Sequence, residues 1–311
     1  MDPGGGVIMN PGELEELARA VAEKLAARGR RPGQAIASIP NRPTVRSNRP
    51  IQPSNRPEEQ GSAASAPVRI ADFIDHTLLK AEATKAEIDR LCAEAKEHRF
   101  AAVCVNGCWA ARCAEALRGT GVKVAAVVGF PLGAMASAAK AAEARMLVAD
   151  GADELDMVAA IGRIVDEDWD YVEDDVRAVV EASRGRVVKV ILETAALPPM
   201  LIAKSAALAK EAGARFVKTS TGFHPAGGAT TDAVALMRLV VGDGVGVKAA
   251  GGIRDCVTAL RMIAAGATRL GTSSGTKLVS CLGAGPLSAD LLTDPEKHGA
   301  SCATGDCEGV Y

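Results

Sequence analysis

Three lysines stand where a lysine is hard to accommodate. Lys189 in VVKVI, Lys218 in FVKTS and Lys248 in GVKAA each follow a valine inside a short, otherwise apolar run. Such runs read as buried strands, and an unpaired ammonium in a buried strand is costly. Burial and mutual repulsion both disfavour the protonated amine. With the three lysines at matching depth in successive strands, at least one is expected to have a lowered pKa. A neutral lysine amine is a nucleophile toward carbonyls and forms Schiff bases. The competing reading pairs each lysine with a carboxylate in a structural ion pair. Asp75 in FIDHT and Asp156 in ELDMV interrupt apolar runs in the same way and are the candidates for that partnership. A carboxylate so placed can also relay protons during addition and dehydration at a carbonyl.

Three loops rich in small donors follow nearby: Thr219-Ser220-Thr221-Gly222, Gly251-Gly252-Ile253-Arg254 and Gly271-Thr272-Ser273-Ser274-Gly275. Glycine lets backbone N–H groups approach an anion, and a helix N-terminus adds a favourable dipole. These three loops are therefore candidates to hold a phosphate. Cys104 in VCVN is a candidate reactive thiol near the same mouth, although a buried cysteine serves equally as a small hydrophobe.

The elements that must position these groups alternate in type. Strand candidates cover residues 71–77, 100–106, 122–129, 154–160, 187–194, 216–221, 246–252 and 269–274. Amphipathic helical stretches such as TKAEIDRLCAEAKEHR and SAAKAAEARMLVADG lie between them. Eight strands alternating with helices predict a (β/α)8 TIM barrel, whose active sites sit at the C-terminal ends of the strands, with phosphate commonly after strands seven and eight. A doubly wound sheet would want a glycine-rich loop after its first strand, and that loop reads DHTLLK.

The barrel is expected over residues 68–282. Ahead of it, Leu14, Leu17, Val21 and Leu25 make one helical stripe, predicting a short amphipathic helix within residues 1–28 that docks onto a partner. Residues 29–67 are rich in Pro, Arg and Ser, repeat Asn-Arg-Pro at 41, 48 and 55, and contain no Phe, Trp or Tyr. They read as a disordered linker. Residues 283–311 read as a flexible tail, in which Cys302 and Cys307 are too sparse for a metal site. Lysine and arginine (36) nearly cancel aspartate and glutamate (38), giving no reason to expect nucleic acid or an anionic membrane as partner. No run approaches a membrane span, and the first residues do not read as a secretory signal. The eight scattered cysteines are expected to be reduced thiols in a cytoplasmic protein. Self-association is expected from the general frequency of homodimers.

In order and spacing, IDHTLL, VCVN, GFPLGA, ELDMV, KVILET, FVKTSTGF, GVKAAGGIR and GTSSG resemble the deoxyribose-phosphate aldolase family, which are class I aldolases. The resemblance implies a barrel without metal or organic cofactor that reversibly cleaves 2-deoxy-D-ribose 5-phosphate to acetaldehyde and D-glyceraldehyde 3-phosphate. It implies that Lys218 forms the Schiff base and that Lys248 is the neighbouring charge lowering the pKa of Lys218. Asp156 would shuttle protons, with Lys189 and Asp75 alongside, and the phosphate would lie on Gly222, Gly251, Gly252, Ser273 and Ser274. A terminal tyrosine assists proton transfer in some members, which makes Tyr311 a candidate. Departures are Gly107 where proline usually follows VCVN, Ala159-Ala160-Ile161-Gly162 after ELDMV, and Phe223 where some members carry a phosphate-binding lysine. The segment before residue 68 resembles an encapsulation peptide of a bacterial microcompartment, with residues 13–28 meeting a shell protein. Alternatives are a related Schiff-base barrel acting on another phosphorylated sugar, or a non-catalytic cargo protein.

Overall fold

A computed structural model describes residues 68–295, together with the isolated residues Gly12 and Glu16. The docking helix expected in residues 13–28 (Glu16 apart), the linker over 29–67, and Cys302, Cys307 and Tyr311 all lie outside the described residues.

All eight predicted strands form. They are β1 (Ile74–Leu78), β2 (Ala102–Val105), β3 (Lys123–Val128), β4 (Glu154–Val158), β5 (Val187–Ile191), β6 (Phe216–Lys218), β7 (Gly246–Ala250) and β8 (Arg269–Thr272). Every neighbouring pair is parallel, and β8 pairs with β1 to close the barrel. Helices α1 (Lys85–His98), α2 (Ala110–Ala116), α3 (Ser137–Ala149), α4 (Ile161–Val165), α5 (Trp169–Ala182), α6 (Pro199–Glu211), α7 (Thr231–Val241), α8 (Cys256–Ala264) and α9 (Gly275–Leu282) return the chain outside it. Local chemistry sets several starts. Thr84 and Glu87 form a reciprocal capping box at α1, while Thr230 caps α7 and Asp255 caps α8. The expected spans differ in kind at two places: Ile70–Phe73 coil into a 3-10 turn before β1 begins, and past β5 Glu193 turns left-handed and Thr194 opens another 3-10 turn.

The main core lies between strands and helices. Val103, Val105, Leu155, Met157, Val188, Val190, Val217, Val247 and Leu270 are buried facing the helix layer. A small second cluster of Leu79, Cys104, Ala125 and Val127 lies apart from it. Along each strand, residues therefore alternate between the helix layer and the barrel axis.

Two expectations need correcting. Cys256 and Cys281 form a disulfide with a Cα–Cα distance of 6.6 Å, because α8 and α9 are neighbours, so not all cysteines are free thiols. Cys92, Cys104 and Cys113 are free and buried, and Cys108 is free and exposed. The chain also stays with the barrel past residue 282. Leu287 N–H donates to Val68 O at 2.9 Å, Arg69 bridges to Pro286, and α10 (Ala289–Thr293) follows. Leu287 and Leu292 pack against the core, which gives this stretch a reason to be ordered.

Candidate active site

The strand register stacks the polar interior in layers. In an eight-stranded barrel alternate strands share a layer, with a stagger of about one residue per strand. Following the pairings with that stagger puts Asp75, Ala125, Lys189 and Lys248 in one layer. Cys104, Asp156, Lys218 and Gly271 make the layer above, toward the C-terminal ends of the strands. Ala102, Glu154, Phe216 and Arg269 make the layer below. The three lysines are thus not at matching depth. Lys189 and Lys248 share a layer, and Lys218 stands one layer nearer the mouth, because the stagger shifts equivalent positions between strands.

Ion pairs cross the layers. Asp156 Oδ2 accepts from Lys218 Nζ at 2.8 Å and from Lys248 Nζ at 2.7 Å, and Oδ1 accepts from Lys189 Nζ at 2.8 Å. Asp75 Oδ2 bonds Lys248 and lies 3.2 Å from Lys189, while Asp75 Oδ1 accepts from Arg269 Nη1 at 2.6 Å. Glu154 Oε2 lies 2.5 Å from Lys189 Nζ and 3.3 Å from Arg269 Nη1. Arg269 also lies over the Phe216 ring, 5.4 Å from its centroid. Asp75, Asp156, Lys189 and Lys248 are fully buried, and Lys218 is 2% exposed.

The pairing reverses one expectation. Burial alone would lower the pKa of Lys189, but Asp156, Asp75 and Glu154 outweigh it and hold the amine well above its ordinary value. Lys248 is likewise raised, by Asp156 and Asp75 against burial. Burial would raise Asp156 and Asp75, yet the surrounding lysines, with Arg269 at Asp75, keep both carboxyls below the usual range. Repulsion among lysines loses because a carboxylate stands between them, so these two lysines stay charged. Burial pushes the Cys104 thiol up; its Sγ lies 3.9 Å from Asp156 Oδ2.

Above the cluster opens a cavity of about 250 Å³. Lys218 lies in its wall with Gly222, Gly251, Gly252, Gly271 and Ser273. Four of the five expected phosphate donors therefore face one space. Ser274 is not among the lining residues; it precedes α9, and its N–H donates to Thr272 Oγ1 at 2.9 Å. Gly271 lines the cavity and contributes no side chain to the top layer. A Cβ there would lie 3.0 Å from Lys248 Cε and 2.9 Å from Ala250 Cβ. Gly252 has φ +83° and nothing within 4 Å of a would-be Cβ, so an alanine there meets backbone strain rather than a clash. That strain is about 1–2 kcal/mol. The empty loop is expected to relax that strain by shifting its backbone N–H groups, so that binding must restore it; Gly252→Ala is then expected to raise KM for a phosphorylated substrate by up to about tenfold, at about 1.4 kcal/mol per decade, and to change kcat less than twofold. Steady-state kinetics on phosphorylated and unphosphorylated substrates check this, since only the former should be affected.

Several residues of the site escaped the sequence reading. Glu154 was visible as the position two before Asp156 on the same strand face, and Arg269 as the charge opening the eighth strand. Glu193 left no comparable signal. It takes a left-handed conformation (φ 56°) at the end of β5, and its carboxylate accepts from Thr221 Oγ1 at 2.5 Å and Thr221 N–H at 3.2 Å. It thereby ties down the loop that follows Lys218 and carries Gly222. Lys80 and Arg254 add cationic side chains to the cavity wall.

A closed parallel barrel with a buried lysine at its mouth, below loops suited to an anion, defines a lysine-dependent enzyme of carbonyl chemistry. The chain belongs to the DeoC/LacD family aldolases, matching that family over residues 69–280. It is 54% identical over 212 residues to the deoxyribose-phosphate aldolase of Bdellovibrio bacteriovorus, covering 68% of this chain and 96% of that one. Likeness to the enzyme of the same name from Streptococcus uberis is equal, 54% over 213 residues, with 68% and 96% covered. The tetrameric deoxyribose phosphate aldolase of Aeropyrum pernix superposes with a TM-score of 0.64 at 33% identity, over 68% of this chain and 89% of that one.

Proposed function

We propose that the protein is a class I aldolase that reversibly cleaves 2-deoxy-D-ribose 5-phosphate to acetaldehyde and D-glyceraldehyde 3-phosphate through an imine at Lys218. One observation carries the assignment of the residue. Of the three interior lysines, Lys218 alone lines the cavity, and its amine meets the carboxylate that also binds Lys248.

The free amine of Lys218 adds to the C1 aldehyde of the open-chain sugar. The resulting carbinolamine loses water to give a protonated imine. A base removes the C3 hydroxyl proton, the C2–C3 bond breaks, and its electrons pass into the imine to form an enamine. Glyceraldehyde 3-phosphate leaves, the enamine takes a proton at C2, and water hydrolyses the imine to acetaldehyde and the free amine. Asp156, 2.8 Å from Lys218 Nζ, is the group we assign to moving protons, with Lys248 as the charge beside it. Lys189 and Asp75 hold Asp156 and Lys248 in place. Gly222, Gly251, Gly252 and Ser273 receive the phosphate by backbone N–H and hydroxyl donors. Incubation with acetaldehyde and borohydride, followed by peptide mass spectrometry, is expected to find an irreversible two-carbon adduct on Lys218, and deoxyribose 5-phosphate is expected to turn over. An adduct without turnover would transfer the chemistry to another aldehyde, and no adduct would overturn the reading.

The chain before the barrel supports a second, separable role. The four-residue apolar stripe of residues 14–25, followed by the Pro- and Arg-rich segment, suits a docking peptide joined to a cytoplasmic enzyme. A shell that confines acetaldehyde would give this cargo a purpose, since the product is small and reactive. Residues 1–35 fused to a fluorescent protein are expected to give puncta with the cognate shell, and diffuse fluorescence would count against docking. We extend self-association to this chain from the tetrameric Aeropyrum pernix relative.

A further inference from the structure

The layer beneath the lysines holds two charged groups that the aldol chemistry leaves without work. Glu154 and Arg269 do not line the cavity, yet both bond directly to the layer that supports Lys218. Glu154 Oε2 lies 2.5 Å from Lys189 Nζ, and Lys189 in turn donates to Asp156 Oδ1. Arg269 Nη1 lies 2.6 Å from Asp75 Oδ1, and Asp75 Oδ2 bonds Lys248. Glu154 is therefore two contacts from Asp156, through Lys189, and Arg269 is three, through Asp75 and Lys248. Asp156 receives Lys189 on one oxygen and both Lys218 and Lys248 on the other.

The charges of this cluster form a countable set. Lys189, Lys218, Lys248 and Arg269 face Asp75, Asp156 and Glu154. Cys104 on β2 lies beside them, and Lys80 and Arg254 share the cavity wall with Lys218. Four cations against three carboxylates leave one positive charge in excess, so the release of a single proton makes the cluster neutral. In a set coupled this tightly, proton release belongs to the cluster as a whole. Removing a carboxylate anywhere in it eases that release, and removing a cation opposes it.

We propose that Glu154 and Arg269 are positioning residues that set, from beneath, the pH at which the cluster yields the free amine for Schiff-base formation. The proposal rests on the Lys218 imine of the preceding section. Glu154 fixes Lys189 so that Asp156 Oδ1 is occupied and Oδ2 is left to Lys218 and Lys248. Arg269 fixes Asp75 so that Lys248 is held from below. Their opposite charges then act as counterweights, and the parity of the set fixes how readily it gives up its proton.

The test measures borohydride-trapped acetaldehyde adduct, and kcat/KM for deoxyribose 5-phosphate, as functions of pH on the full chain. Glu154→Gln leaves four cations against two carboxylates and is expected to move the acid limb of both profiles down by about one pH unit. Arg269→Met leaves three against three and is expected to move it up by about one unit. Glu154→Asp and Arg269→Lys keep the charge and are expected to leave the limb within about a third of the shift seen in the neutral variants. KM is expected to stay within about twofold, since neither residue touches the cavity. Limbs that move in the same direction, or that do not move, would overturn the proposal. If one neutral variant fails to fold, the sign of the shift in the other decides. Absence of adduct on Lys218 in the unaltered protein would instead remove the imine reading, and an adduct with unmoved limbs would remove only the role of Glu154 and Arg269.

Discussion

Lys218→Met is expected to lower kcat/KM for deoxyribose 5-phosphate by on the order of 10⁴-fold or more, because groups that act as a unit fail together when one is removed. Among the described residues no other lysine shares its layer, Lys80 in the cavity wall lies past the end of β1, and methionine has the volume but not the nucleophile. Lys189 and Lys248 cannot substitute, since both are fully buried one layer down and held charged by carboxylates. The fold is expected to survive. Among the described residues Lys218 forms its ion pair with Asp156 alone, and Asp156 keeps Lys189 and Lys248 after the change. Initial rates, circular dichroism and peptide mapping of the trapped adduct check the three parts of this result. Activity above a hundredth of the original, or an adduct on another lysine, would reassign the nucleophile.

Asp156→Asn is expected to damage both chemistry and stability. Its carboxylate bonds three lysines, and removing one partner from a buried ion pair costs about 3–5 kcal/mol. Loss of the proton relay is expected to lower kcat by about 10²–10⁴-fold. The stability effect carries a pH signature. The folded state holds Asp156 well below the ordinary carboxylate value, so unfolding in acid takes up a proton. The stability this group lends is full above the unfolded value of about 3.9 and is lost as pH falls toward the depressed folded value. The difference in denaturation midpoint between the parent protein and Asp156→Asn is thus expected to be large near pH 7 and to shrink in acid. Urea titrations at both extremes measure it. A difference that persists undiminished in acid would mean that packing, rather than charge, links Asp156 to the fold.

Much of this site could be read before any coordinates. Lys189, Lys218, Lys248, Asp75 and Asp156 were conspicuous because each breaks an apolar strand, and period-two alternation sends residues so placed either to the axis or to the helices. The eight strands followed from the alternation of short β-rich runs with amphipathic stretches. What the sequence hid was the relation between strands. Stagger is a property of the closed barrel, so it could not be known that Lys218 stands a layer above its two companions. Nor could the direction of the lysine shifts be known. Whether burial or a carboxylate wins depends on contacts such as Lys189 with Glu154 at 2.5 Å, between residues on different strands. Glu193 was invisible for a similar reason, since its partner Thr221 lies 28 positions away across the β5–β6 connection.

The bond between Leu287 and Val68 has a consequence for anything appended to the enzyme. Residue 68 precedes β1 and α9 has already run back along the outside, so both strands of this junction sit at the floor of the barrel, with substrate admitted at the opposite pole. A wall, a condensate or another protein that holds the chain ahead of residue 68 therefore pulls on the pole opposite the substrate's entrance. Anchorage and turnover are thereby uncoupled by geometry, and a surface-immobilised form of this chain, tethered through its first residues, is expected to work as fast as the free one.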